Sequence, residues 1–153
     1  MDDKKLTRML SDHEGVKLKV YDDATGEELI AGDTLVGHPT IGVGRNIAKY
    51  GLGISVEESN YLLLNDIERV KKEIKGFPIS HLNEARMAVI IDMAFNMGIT
   101  RFNDIKWPKF FNAVRNADWE TATTEMLDSN WATQTKRRAV RLSKMMHEGN
   151  WAD

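Results

Sequence analysis

The sequence predicts an α+β fold, in which a small antiparallel β lobe is joined by a long helix to a larger helical lobe. Three observations carry that reading. Val16, Leu18 and Val20 alternate with Lys17 and Lys19, the period of a half-buried strand. Ser55 is followed three residues later by Glu58, a helix-start signature, and apolar residues recur behind it at helical spacing. From Asn83 to the C-terminus the whole pattern reads as helix.

Taken in order, residues 4–13 form a short helix. Leu6, Met9 and Leu10 share a face, and Gly15 ends it. The strand at 16–20 follows. Gly26, Gly32, Gly37 and Pro39 mark turns, and Thr40-Ile41-Gly42-Val43-Gly44 reads as the returning strand. The β lobe therefore covers about 15–54, and the connecting helix about 55–75. Leu63, Ile67, Val70 and Ile74 stripe one face of that helix, and Gly76-Phe77-Pro78 breaks it. The helical lobe spans about 80–153 and takes in the N-terminal helix 4–13. Residues 85–97 are apolar nearly all round, as in a helix at the centre of a bundle. Shorter helices are expected at 107–116, 119–128 and 135–147, with Thr135 as N-cap of the last and Gly149 as its end.

A chain of 153 residues suffices for one ordinary domain or two small lobes. Hydrophobic content of 42% and charged content of 29% are those of a globular protein. The formal net charge of −2 argues against an electrostatic nucleic-acid binder. The basic helix near the C-terminus does not change this, because residues 101–153 hold nine Lys and Arg against seven Asp and Glu. Cysteine is absent, which fits a reducing cytoplasm. The stretch Met1-Asp2-Asp3-Lys4-Lys5-Leu6 leads into no apolar run of signal length, and no stretch of about 18 apolar residues occurs. The four histidines, His13, His38, His81 and His147, lack metal-ligand spacing, and no cofactor motif is present.

The candidate chemistry lies in the β lobe. Glu14 sits at the end of the first helix, where the helix dipole favours cations and gives a glutamate no support. Asp22 and Asp23 end the first strand, and Thr40 opens the next. Taken alone, the two aspartates are ordinary turn formers and the threonine an ordinary strand residue. Together they supply what glycosidic hydrolysis requires: one acid to protonate the leaving oxygen and a second polar group to handle water. Strand alternation points only one of the two aspartates inward. A second cluster is Gln134, Thr135, Arg138 and Arg141, in which the two arginines share a helix face. It reads either as a solvated basic helix or as the source of an arginine that pairs with Glu14.

Glu14-Gly15, Leu18-Lys19, Tyr21, Asp23, Thr40-Ile41-Gly42 and Gly44 resemble the catalytic hairpin of the phage lysozymes of glycoside hydrolase family 24. Ala94-Phe95-Asn96-Met97-Gly98 resembles that family's central helix. Trp131, Gln134-Thr135, Arg138, Arg141 and Gly149-Asn150-Trp151 resemble its C-terminal segment. The likeness runs in order over nearly the whole chain and implies one lysozyme-like domain, 1–153. It implies a muramidase cutting the β-1,4 bond between N-acetylmuramic acid and N-acetylglucosamine in peptidoglycan. By the same likeness Glu14 is the general acid, Asp23 the second carboxylate and Thr40 the residue that positions water. Arg138 pairs with the acid, Gln134 and Thr135 contact substrate, and Arg45 pairs with Asp66. Two departures stand out: a longer excursion between Asp23 and Thr40, with Glu27, Glu28 and Asp33 added, and a shorter stretch between Asn46 and Ser55.

The rival readings are a lytic transglycosylase using the same acid, a catalytically silent wall-binding domain, and a nucleic-acid module on the basic helix. The Asp23–Thr40 pair favours hydrolysis over transglycosylation. The expected setting is a monomeric endolysin that stays in the bacterial cytoplasm until a separate holin opens the membrane, and then reaches the cell wall.

Overall fold

A computed structural model describes residues 3–152 and divides into two compact units, Met1–Asn60 and Tyr61–Asp153. Met1 and Asp2, where the N-terminal reading begins, lie outside the described residues, as does Asp153. The fold is α+β and lysozyme-like, with seven α-helices and a three-stranded antiparallel sheet among the described residues.

In the first unit, α1 spans Asp3–Glu14, so that Glu14 is its last residue. Strand β1 is Lys17–Asp22, β2 is Pro39–Gly42 and β3 is Arg45–Asn46, in the order β1-β2-β3. Tyr21 pairs with Thr40 and Asp22 with Pro39, while Thr40 pairs on its other side with Asn46. The expected half-buried strand is only partly realised. Leu18 is 85% exposed, and the register with β2 slips between Lys17 and Tyr21. A slip of that kind breaks the strict alternation of faces on which the sequence reading relied. Val43 and Gly44 form the tight turn into β3, and the φ of +68° at Gly44 suits glycine alone at low cost.

The long excursion between Asp23 and Thr40 is ordered around β1. The chain turns back at once, with Gly26 N–H donating to the Asp22 carbonyl at 2.8 Å. Glu27 and Leu29 then bond to the free edge of β1: Asp22 N–H donates to Glu27 O at 3.0 Å and Leu29 N–H to Val20 O at 2.9 Å. β1 is thus flanked by β2 on one edge and by the inserted segment on the other, which covers a strand edge that would otherwise stand unpaired.

The capping box read from Ser55 and Glu58 is present on both sides. Glu58 N–H donates to Ser55 Oγ at 3.1 Å, and Ser55 N–H to Glu58 Oε2 at 2.7 Å. It starts α2, Val56–Glu73, which runs on into the second unit and closes in a 3-10 turn at Ile74–Gly76.

The second unit is built on α3, Glu84–Met97, whose Val89, Ile90 and Met93 are fully buried; the all-round burial its apolar sequence predicts is only partly met, since Phe95 is 42% exposed. Around it lie α4 (Pro108–Arg115), α5 (Trp119–Leu127), α6 (Asn130–Thr135) and α7 (Arg137–Glu148). Val70 and Ile74 enter this core from the expected stripe of α2. Phe102, fully buried between α3 and α4, meets Phe77, Trp107, Phe110 and Phe111 at centroid distances of 5.1 to 6.1 Å. Arg86 donates to the carbonyls of Met146 and His147, and Asn83 to that of Gly149. These bonds satisfy end groups that α7 cannot satisfy within itself.

One helix boundary differs from the sequence reading. Thr135 is not the N-cap of the last helix but the final residue of α6, and its hydroxyl donates back to Trp131 O at 2.8 Å. The break falls at Lys136, whose φ of +49° separates α6 from α7. Ser129 makes the cap that starts α6, accepting from Ala132 N–H at 3.1 Å.

Replacing Phe102 by Ala removes the ring shared by four aromatic neighbours. The expected loss of stability is about 3–5 kcal/mol, read from urea unfolding followed by tryptophan fluorescence.

Candidate active site

The first unit brings Asp23 and Thr40 together through the β1–β2 pairing. Asp22 and Asp23, equivalent as turn formers in the sequence, take opposite roles. Asp22 is 2% exposed and its carboxylate is wholly engaged with backbone. Its Oδ1 accepts from Ala24 N–H at 2.9 Å and Gly37 N–H at 3.0 Å, and its Oδ2 from Val36 N–H at 2.7 Å. It joins the first residue of the excursion's turn to the last residues before β2. The Val36 N–H, above all, holds the Asp22 carboxyl below its ordinary pKa, against the opposing effect of burial; Gly37, Ala24 and Thr25 lower it further.

Asp23 is the exposed partner: it lies one residue beyond the end of β1, at the start of the turn. Its Oδ1 accepts from His38 N–H at 2.6 Å, and its own N–H donates to His38 O at 3.1 Å. Thr40 is buried, and its hydroxyl donates to the same His38 carbonyl at 3.1 Å. With its proton so placed, the hydroxyl oxygen keeps lone pairs for a donor such as water.

Glu14 reaches the turn between β2 and β3. A Cβ built on Gly44 would lie 3.7 Å from Glu14 Oε2, so the carboxylate faces the side of Gly44 on which a side chain would stand. The general-acid candidate, the second carboxylate and the threonine therefore all belong to the first unit. Arg45 pairs there with Glu58, at 2.8 Å, instead of the Asp66 that the resemblance implies, and donates to Gly53 O at 2.9 Å. Asp66 lies 3.4 Å from Arg69.

Gln134, Thr135 and Arg138 belong to the second unit. Gln134 is exposed on α6, while Thr135 and Arg138 are half-buried. Arg138 donates Nε–H to Asp92 Oδ1 at 2.8 Å. This pair stands at the rim of an apolar pocket of about 430 Å³, lined by Leu63, Ile67, Ala88, Ile91, Phe95 and Trp151. Trp131 is buried and donates to Asn96 Oδ1 at 3.0 Å.

Asp92 and His38 carry no functional signal in the sequence reading, and Glu58 is read there only as a capping residue and not as the partner of Arg45. Asp92 was hidden in an apolar run. His38 was weighed only as a metal ligand. Its signal was positional: two residues before Thr40 on the returning strand, it falls opposite Asp23 in an antiparallel pair.

The fold and this hairpin define a lysozyme-like protein with two carboxylates and a threonine in its smaller, sheet-bearing unit. The chain belongs to the phage lysozyme family, whose profile matches residues 11–144. It is 30% identical over 165 residues to the pre-baseplate central spike protein Gp5 of Enterobacteria phage T4, an alignment covering 95% of this chain and 28% of the spike protein. It is 27% identical over 163 residues to the probable T4-type lysozyme 1 of Dictyostelium discoideum, covering 92% of each chain. The chain therefore spans just over a quarter of the first relative and nearly all of the second.

The lowered pKa of Asp22 has a consequence for stability. A carboxylate with a depressed folded-state pKa contributes stability above its unfolded value, and that contribution is lost as pH falls through the folded value. Wild-type protein should thus lose thermal stability below about pH 4. Asp22→Asn should start lower at neutral pH and show a flatter decline across the same acid window, as measured by thermal melts from about pH 7 to about pH 2.

Proposed function

We propose that the protein is a muramidase that hydrolyses the β-1,4 bond between N-acetylmuramic acid and N-acetylglucosamine in bacterial peptidoglycan. The observation that carries this reading is the pairing of Asp23 with Thr40 through His38, on the hairpin that follows the helix ending in Glu14. Membership of the phage lysozyme family supports a lysozyme-type cell-wall hydrolase.

Glu14 donates its proton to the glycosidic oxygen as the bond breaks. Asp23, ionised, orients and accepts from the attacking water on the other side of the sugar, and the Thr40 oxygen holds that water from a second direction. Arg138 is assigned to pairing with the acid, and Gln134 and Thr135 to holding substrate, on the strength of the family likeness. No step calls on a metal or a cofactor. The protein acts as a monomeric endolysin: it waits in the host cytoplasm, depends on a separate holin for passage through the membrane, and then attacks the wall.

Digestion of purified peptidoglycan followed by mass spectrometry tests the reaction. Reducing muramic ends are expected. Anhydro ends, lighter by one water, would establish transglycosylation, and undigested wall would contradict the hydrolase reading. Glu14→Gln keeps the side-chain shape without an acid proton, so activity should fall by at least about a hundredfold with the circular dichroism spectrum unchanged. Expressed alone in a Gram-negative host, the chain should leave culture density unaffected until chloroform or a co-expressed holin is supplied. Prompt lysis without either would contradict the cytoplasmic assignment.

A further inference from the structure

We infer that the end of the inserted excursion, Gly37-His38, is the positioning device for the water-handling groups, and that His38 is a positioning residue acting through Asp23. The inference rests on the reading of Asp23 and Thr40 given above and assigns a role to the end of the excursion between them.

Four contacts converge on one residue. His38 N–H donates to Asp23 Oδ1 at 2.6 Å, and His38 O accepts from both Asp23 N–H and the Thr40 hydroxyl at 3.1 Å. The imidazole Nδ1 stands 3.5 Å from Asp23 Oδ2. The backbone bonds fix the strand register and one carboxylate oxygen. They leave the carboxylate plane free to turn about that oxygen, and the polar Nδ1 beside Oδ2 limits that rotation. A group that orients water must hold its geometry to a fraction of an ångström, so restriction of this single torsion bears on turnover rather than on binding.

Gly37 is the steric half of the device. A Cβ at residue 37 would fall 2.1 Å from Asp23 Oδ1 and 2.8 Å from both the Cβ and the N of Ala24. Two of these atoms cannot move away without shifting backbone, so only glycine lets the segment pass this close to the carboxylate.

The His38 and Asp23 side chains are both well exposed, at 62% and 42%. An exposed pair of this kind adds little to folding free energy. Loss of the ring should therefore leave stability unchanged and show itself in turnover. That separates positioning from a merely structural role.

The experiment compares Asp23→Ala, His38→Phe, His38→Asn and Gly37→Ala with the parent on solubilised peptidoglycan fragments, with urea unfolding of each variant. His38→Phe, which keeps a ring without a donor, should lower kcat about tenfold with KM within about twofold and an unchanged unfolding midpoint. His38→Asn places an amide donor near the position of Nδ1 and should restore kcat to within about threefold of the parent. Gly37→Ala should lower kcat further, by about a hundredfold. If Asp23→Ala is inactive while His38→Phe turns over like the parent, the positioning role is overturned and the reading of the site stands. A loss in His38→Phe confined to KM, or one that His38→Asn fails to restore, also overturns it. If Asp23→Ala itself retains parental activity, the reading of the site falls and the inference with it.

Discussion

The buried carboxylate of Asp22 is the constraint on which the smaller unit depends. It gathers three backbone N–H groups, one from the turn that opens the excursion and two from its end. The edge bonds of Glu27 and Leu29 hold the first part of the excursion on β1, and Asp22 draws its two ends together, which limits the entropy of the loop between them. With it, the excursion is pinned at its base, and the segment that leads into β2 is delivered against β1 in one register. Asp23, Thr40 and their common partner His38 are consequences of that register. The two adjacent aspartates divide the work: the buried one organises backbone, and the exposed one remains available for chemistry.

The larger unit rests on a different principle. Its order comes from apolar burial around α3 and from side chains that close helix ends: Asn83, Asp118 and Ser129 at N-termini, and Arg86 at the C-terminus of α7. Arg138 shows how the two kinds of stabilisation meet. Its guanidinium is held by Asp92, which α3 presents beside an apolar pocket that both residues help to line. A carboxylate in that position fixes the direction of the arginine through a charge-assisted bond.

Local signals in the sequence were read correctly where one interaction decides the outcome. The Ser55–Glu58 capping box appears with both its hydrogen bonds, and Val89, Ile90, Met93 and Ala94 of α3 are buried, although Phe95 stays 42% exposed. Asp22 is buried and Asp23 exposed, so two aspartates that read alike as turn formers differ in the structure. What escaped were features set by several residues at once. Lys136 carries no mark of a break, yet its positive φ separates α7 from α6, a helix absent from the sequence reading, and Thr135 is the last residue of α6 instead of the cap of the last helix. The strand alternation from Val16 did not survive the register slip with β2, which no single-strand pattern encodes. His38 looked like a metal ligand without partners because its significance lies across the ladder, opposite a residue fifteen positions away.

The central claim, that an ionised Asp22 holds both ends of the excursion, is tested most directly by following the Val36 and Gly37 amides in nitrogen-15 correlation spectra during an acid titration. The account predicts that both amide signals move together, with one midpoint below the ordinary aspartate value of about 3.9. Amides that titrate at the ordinary value, or do not respond to pH at all, would show that Asp22 does not bind them and that something else orders the hairpin.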